Sequence, residues 1–198
     1  RVISQLAIIA LGAGLLIVAG EFDLSIGSMI GFAGACMAMV LRWGFSIIIP
    51  YISFEGGVHI EFYTLIHIPD VSPLGALLIT LCFTLFFGWL QGYIVVKSGL
   101  PSFIVTLAFL FILRGLSLVG LKAATGGATQ MRGMRDLVED DWLAPIFSGD
   151  AFPGFFTWAA ERGLIDTFNN GNPKVTGVPV EILWFIAITL VATYILLR

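Results

Sequence analysis

Five apolar stretches constrain this chain more than any other feature. Val2 to Gly20, Ile26 to Leu41, Leu74 to Val96, Ser102 to Leu121 and Val180 to Leu197 run for 19, 16, 23, 20 and 18 residues and hold two charges, Arg114 and Glu181. A helix needs about 20 apolar residues at 1.5 Å rise to cross a hydrocarbon core of about 30 Å. Four stretches meet that length comfortably. Ile26 to Leu41 reaches about 24 Å on the same rise, and extension through Arg42 and Trp43 favours a short full span over a half-span. Backbone in lipid must satisfy its own hydrogen bonds, which makes helices the spanning form for segments of this length. The expected fold class is all-α, a polytopic membrane helix bundle. Residues 1–198 form a single transmembrane domain, with spans near 2–20, 26–41, 74–96, 102–121 and 180–197.

Composition excludes the soluble alternatives. Charged residues make up 12% of the chain against 58% hydrophobic, and mean hydropathy is +0.99. An ordinary globular domain carries about 25% charge, and a soluble domain this size has too little interior to hide so much apolar surface. The net charge of −3 and the lack of a basic run exclude nucleic acid as a partner; the expected environment is membrane lipid.

The other 102 residues hold 21 of the 23 charges. Two connections are short, Glu21 to Ser25 and Lys97 to Pro101, and pair neighbouring helices. Two are long, Arg42 to Pro73 and Lys122 to Pro179, with one base against three acids and five against seven. Alternation places both long loops on one face, and the positive-inside rule makes the Lys97 side cytoplasmic. Loops 42–73 and 122–179 are then extracytoplasmic and open to an external partner. Within the second, Phe156, Ala160, Leu164 and Phe168 recur at four-residue steps across Asp150 to Asn170. That spacing describes one helical face, lying on the membrane or packed on the protein's own outer surface. The chain begins at Arg1 and its final apolar stretch runs out at Arg198, so a fragment of a longer protein is expected.

Little in the sequence suggests catalysis. No Gly-x4-Gly-Lys-Ser/Thr loop is present, and no nucleophile stands beside a base. His59 and His67 lack paired cysteines and read as solvated loop residues rather than metal ligands. Glu139, Asp140 and Asp141 lack the alternation of a calcium loop. Cys36 and Cys82 lie inside apolar stretches, so a disulfide is not expected. Catalytic and metal residues are expected to be none.

The informative segment is Gly20 to Ser28, which reads GEFDLSIGS between two spans. Its Glu21 and Asp23 carboxylates sit where one helix ends and the next begins, with Ser25 and Ser28 placed to cap the second. A polar break between membrane helices also marks a translocation path. Beyond it, Gly27, Gly31, Ala35 and Ala38 form a small-residue stripe suited to close helix packing. Arg114 stands about 18 Å into its span by helical rise. An unpaired arginine there costs at least about 2.5 to 3.5 kcal/mol on insertion scales, so it pairs, faces water or snorkels toward Leu121.

GEFDLSIGSMIGFAGACMA and, about 60 residues on, GWLQGYIVVKSGLPSFIVTLAFLFILRGLSLV resemble the permease subunit of bacterial ABC importers for monosaccharides, the ribose, xylose and galactoside group. Gly20, Asp23, Leu24, Ser25, Gly27 and Ser28 match the first family motif, and Glu21 replaces a small residue. Leu100, Pro101, Phe103, Ile104, Thr106, Leu107, Leu113, Arg114 and Gly115 match the second. The resemblance implies a permease of about ten spans in the bacterial inner membrane, of which this chain is the second to sixth. Its implied partners are a second permease copy, ABC ATPase subunits and a periplasmic sugar-binding protein. No cofactor is implied for this chain, since ATP and Mg are bound by the ATPases, and the chain is no enzyme. Gly20 to Ser28, with Pro101, Phe103, Thr106, Arg114 and Gly115, become candidates for the helix break and path. Competing readings are an ion-coupled secondary transporter, a membrane scaffold, and ABC permeases for nucleosides or branched-chain amino acids.

Overall fold

A computed structural model describes residues 2–53, 59–134, 136–168 and 173–197. Helices dominate: α1 (Val2–Val18), α2 (Ile26–Trp43), α3 (Pro73–Ser98), α4 (Ser102–Thr125), short α5 (Ala144–Ser148), α6 (Pro153–Glu161) and α7 (Val180–Leu197). Among the described residues, α2, α3, α4 and α7 are long and apolar enough to cross a bilayer. α1 is apolar apart from Ser4 and Gln5 near its start, but has 17 residues. It stops at Val18 because Gly20 turns the chain at φ +83°, where Gly20 and Glu21 donate back to the carbonyls of Ile17 and Leu16. Contacts divide the chain into two units, Phe22–Glu139 and Arg1–Glu21 with Asp140–Arg198.

The first unit holds α2, α3 and α4. Cys36 and Val40 of α2 pack on Ala76 of α3, and Met37, Leu41, Phe45, Val71 and Ile79 surround them. Val105, Phe109 and Leu113 form the buried stripe of α4 at four-residue steps. Edge-to-face aromatic contacts tie the three helices together: Phe32 meets Phe87 at 5.3 Å, and Phe87 meets Phe109 at 6.4 Å between ring centroids. Only Ala76, Thr80 and Gln91 are buried along the 26 residues of α3. Its outer side presents Phe86, Trp89 and Tyr93, with Trp89 62% exposed and stacked on Tyr93. Aqueous folding would not leave such a face uncovered, whereas lipid is its natural solvent.

The same unit contains strands that the charge pattern does not announce. β1 (Phe45–Ser53) pairs antiparallel with β2 (His59–Ile68), from Phe45 opposite Ile68 to Ser53 opposite His59, with a register shift between Ile47 and Ile48. Gly44 opens the hairpin at φ +75°, where a Cβ would run into the Ile68 carbonyl oxygen. His67 is held by Ser46 across the strands, with Oγ to Nδ1 at 2.7 Å. The His59 side chain lies outside the described residues.

In the second unit α1 packs against α7. Trp184 of α7 stacks on Phe147 of α5 and donates from Nε1 to the Ile146 carbonyl at 2.9 Å. A two-residue pairing of β3 (Asp150–Ala151) with β4 (Val178–Pro179) ties the start of α6 to the start of α7. α6 corrects the expected amphipathic face. It ends at Glu161, because Gly163 takes φ +70° and Leu164 donates back to the Ala159 carbonyl, so Leu164 and Phe168 fall beyond the helix. Its exposed aromatic face is Phe155 and Trp158, stacked at 5.9 Å, with the Arg162 guanidinium 4.3 Å from the Trp158 ring centroid. Asn169 and Asn170 lie outside the described residues.

Ala76 has no exposed surface, so a larger side chain there has no room. Ala76→Leu should cost about 1 to 3 kcal/mol through overpacking and lower the midpoint of thermal unfolding in detergent; an unchanged midpoint would mean that the α2–α3 contact is looser than described.

Candidate functional site at the break between α1 and α2

Residues 22–25 lie between the two helices, and their N–H groups need other partners. Side chains from two places, α4 and the break itself, supply those of Phe22, Leu24 and Ser25. Phe22 N–H donates to Ser102 Oγ at 3.0 Å and Leu24 N–H to Thr106 Oγ1 at 3.2 Å, both on the first turns of α4. Ser25 N–H donates to Asp23 Oδ1 at 2.7 Å, an Asx-type turn within the break. Thr106 Oγ1 directs its own proton at the carbonyl of Ser102, 2.9 Å away, with the Phe22 carbonyl at 3.4 Å.

Ser25 is the centre of this knot and is 0% exposed. Its Oγ lies 2.6 Å from Asp23 Oδ1 and 3.0 Å from Gln91 Oε1 of α3. A hydroxyl has one proton, and the charged acceptor at the shorter distance takes it. The two ends of a glutamine amide are isosteric. Turning the amide so that its otherwise unpartnered, buried Nε2 faces Ser25 lets that nitrogen donate to the free Oγ lone pair. The break is thereby pinned to α3 and α4 together.

The expected capping by Ser25 is corrected. Ser25 occupies the N-cap of α2 without a side-chain capping bond, because Asp23 and Gln91 draw its hydroxyl sideways. Ser28 does not cap either: its Oγ donates to the Ser25 carbonyl at 2.7 Å.

Next to the knot, α2 and α4 separate around a groove of about 510 Å³. Gly27, Ser28 and Gly31 form one wall, and Leu110, Arg114 and Ser117 line the other. Gly27 and Gly31 have nothing within 4 Å of a modest added Cβ, whereas Ala35 is buried and Ala38 half-buried. The first half of the small-residue stripe therefore faces open space, and close approach comes later, where a Cβ added at Gly120 would stand 3.2 Å from the Met39 side chain. Arg114 is exposed and has no ion pair among the described residues. Of the other sequence candidates, Gly20 and Glu21 belong to the other unit. Leu24, Pro101, Phe103 and Gly115 are exposed. Pro101 stands at the N-cap of α4, and its carbonyl accepts from Ile104.

Two members of the knot, Gln91 and Ser102, escape a reading built on charges. The available signal is an amide inside a 23-residue apolar stretch, which is costly unless it has a partner.

The sequence profile of the branched-chain amino acid transport system / permease component family matches residues 1–198. The chain belongs to this family. Among curated relatives, the inner membrane ABC transporter permease protein YjfF of Escherichia coli is 33% identical over 112 residues, 57% of this chain and 26% of the relative. The xylose transport system permease protein XylH of Haemophilus influenzae is 29% identical over 157 residues, 76% of this chain and 34% of the relative. The chain thus spans about a quarter to a third of the length of the curated relatives it matches. No solved structure matches it.

If the knot is one cooperative unit, Ser25→Ala and Gln91→Leu should not act additively. A double-mutant cycle on unfolding should give a coupling of about 0.5 to 3 kcal/mol; additive effects would show that the two side chains act separately.

Proposed function

We propose that this chain is part of the membrane-spanning permease of an ATP-driven ABC importer in the bacterial inner membrane, forming the path for a monosaccharide delivered by a periplasmic binding protein. The observation that carries the reading is the knot of Asp23, Ser25, Gln91, Ser102 and Thr106 within a family of transport permeases. Support for a sugar comes from the xylose permease among its relatives. ATP and Mg belong to separate ATPase subunits, and a second permease copy completes the path.

In this reading Gly27, Ser28, Gly31 and Arg114 are path-lining residues, and the knot keeps the break and the start of α4 moving together. Leu24, Pro101, Phe103 and Gly115 shape the surfaces around it, and Gly20 and Glu21 end α1. No direct ligation of sugar by these side chains is invoked. Differential affinity of the loaded binding protein and of nucleotide for inward- and outward-facing states drives the alternation. A branched-chain amino acid as cargo is the second reading, favoured by the description of the family.

Proteoliposomes containing the whole importer decide between these. Labelled xylose or ribose should accumulate only with ATP and binding protein; equal uptake without ATP removes the importer reading, and leucine uptake without sugar uptake selects the second cargo. Arg114→Leu should lower uptake about tenfold or more at normal expression, as expected for loss of a charged group worth 1.4 kcal/mol or more to transport. Full transport by that variant would take Arg114 out of the path.

A further inference from the structure

A second concavity lies at the opposite end of α2 and α4 from the knot. It has a volume of about 730 Å³, and its lining includes Arg42 and Trp43 from the last turn of α2 and Thr125, Thr129, Gln130 and Arg132 from the end of α4 and the segment after it. Local geometry explains how two arginines 90 residues apart in sequence come to share it. Gly126 and Gly127, at φ +70° and +122°, reverse the chain after α4, and Thr125 Oγ1 holds the returning segment through the Ala128 carbonyl at 2.8 Å. Such backbone is open to glycine and costly to other residues.

The surroundings are chemically one-sided. None of the residues lining the concavity is acidic, and neither Arg42 nor Arg132 has an ion pair among the described residues. Both are exposed, in a chain whose net charge is −3. Two guanidinium groups, the Thr129 hydroxyl and the Gln130 amide line it, a donor set matched to a phosphate. Position decides which phosphate. α2 and α4 are both spanning helices and both end at this concavity. It therefore sits at the boundary between hydrocarbon and water, the depth of lipid headgroups. Trp43, 41% exposed beside Arg42, is the aromatic type enriched at that depth.

We propose that this concavity binds the phosphate headgroup of an anionic phospholipid, with Arg42 and Arg132 as the charged contacts and Trp43 as the interfacial wall. The site is separate from the path and independent of the identity of the transported solute. Lipid charge would thereby bear on the end of the α2–α4 pair away from the knot.

The test uses the full-length permease in its complex, in nanodiscs of phosphatidylcholine with increasing phosphatidylglycerol. Two readouts serve: lipid copies retained in native mass spectrometry, and quenching by brominated phosphatidylglycerol of the tryptophan fluorescence that Trp43→Phe removes. Arg42→Gln should weaken phosphatidylglycerol retention about fivefold and the pair Arg42→Gln with Arg132→Gln about thirtyfold, at about 1 kcal/mol per basic residue near a charged surface. Lysine at both positions should restore part of the loss, and Lys122→Gln, outside the lining, should restore nothing and remove nothing. Equal retention of phosphatidylcholine and phosphatidylglycerol, or undiminished retention by the double variant, would overturn the proposal. So would saturation of the site by millimolar inorganic phosphate with no lipid preference, which would assign it to soluble phosphate. Loss of binding-protein docking in the double variant with lipid retention intact would assign the surface to a protein and equally overturn it.

Discussion

Backbone that leaves the helix between α1 and α2 must find hydrogen-bond partners outside the helical ladder. A buried group left without a partner costs about 1 to 3 kcal/mol. Here the N–H groups of Phe22, Leu24 and Ser25 are met by Ser102, Thr106 and Asp23. The remaining polar atom of consequence, Ser25 Oγ, is shared with Gln91. Each such bond contributes a net of about 0.5 to 1.5 kcal/mol, but the larger effect is geometric. The break cannot shift relative to the start of α4 without orphaning several groups at once. The position of α2 and the opening of the groove beside Arg114 both follow from that restraint.

The rest of the first unit is built around small contacts and an inverted surface. Ala76, Cys36 and Val40 let α2 and α3 approach, and three phenylalanines join the helices edge to face. Large side chains such as Trp89 and Phe86 point outward. Lipid removes the penalty for that exposure, so packing between helices depends on fit rather than on hydrophobic burial. Two polar features interrupt this pattern at either end of the α2–α4 pair. One is the knot that organises the break, and the other is the basic concavity at Arg42 and Arg132.

The long helices were legible in the sequence because charge is so sparse within them. Their ends were less so. The first stretch was expected to reach Gly20, yet a left-handed glycine ends α1 at Val18. Gly163 likewise cuts α6 short of Leu164. The β1–β2 hairpin was hidden by treating residues 42–73 as a loop, although Phe45–Ser53 is rich in isoleucine and the return strand carries Ile60, Thr64, Ile66 and Ile68. At the site, Asp23, Ser25 and Thr106 stood out from their motifs. Gln91 and Ser102 did not, since their role depends on contacts 66 to 80 residues away in sequence. The hydroxyl of Ser25 reads as a helix cap in the sequence, yet the Asp23 carboxylate two residues before it takes the proton, and the contact with Gln91, 66 residues away, has no local signal.

The central claim is that residues 22–25 and the first turns of α4 form one mechanical piece throughout transport. Phe22 N–H and Ser102 Oγ are 3.0 Å apart, so the two positions are neighbours across the knot, and cysteines placed there report whether they stay within disulfide reach. The direct measurement is ATP-driven uptake by the whole importer carrying Phe22→Cys and Ser102→Cys, with Cys36→Ala and Cys82→Ala to remove the native thiols, before and after oxidation. The account predicts that the bond forms with and without nucleotide and leaves uptake unchanged. A bond that forms in only one nucleotide state, or one that abolishes uptake until it is reduced, would show that the two segments separate during the cycle and would contradict it.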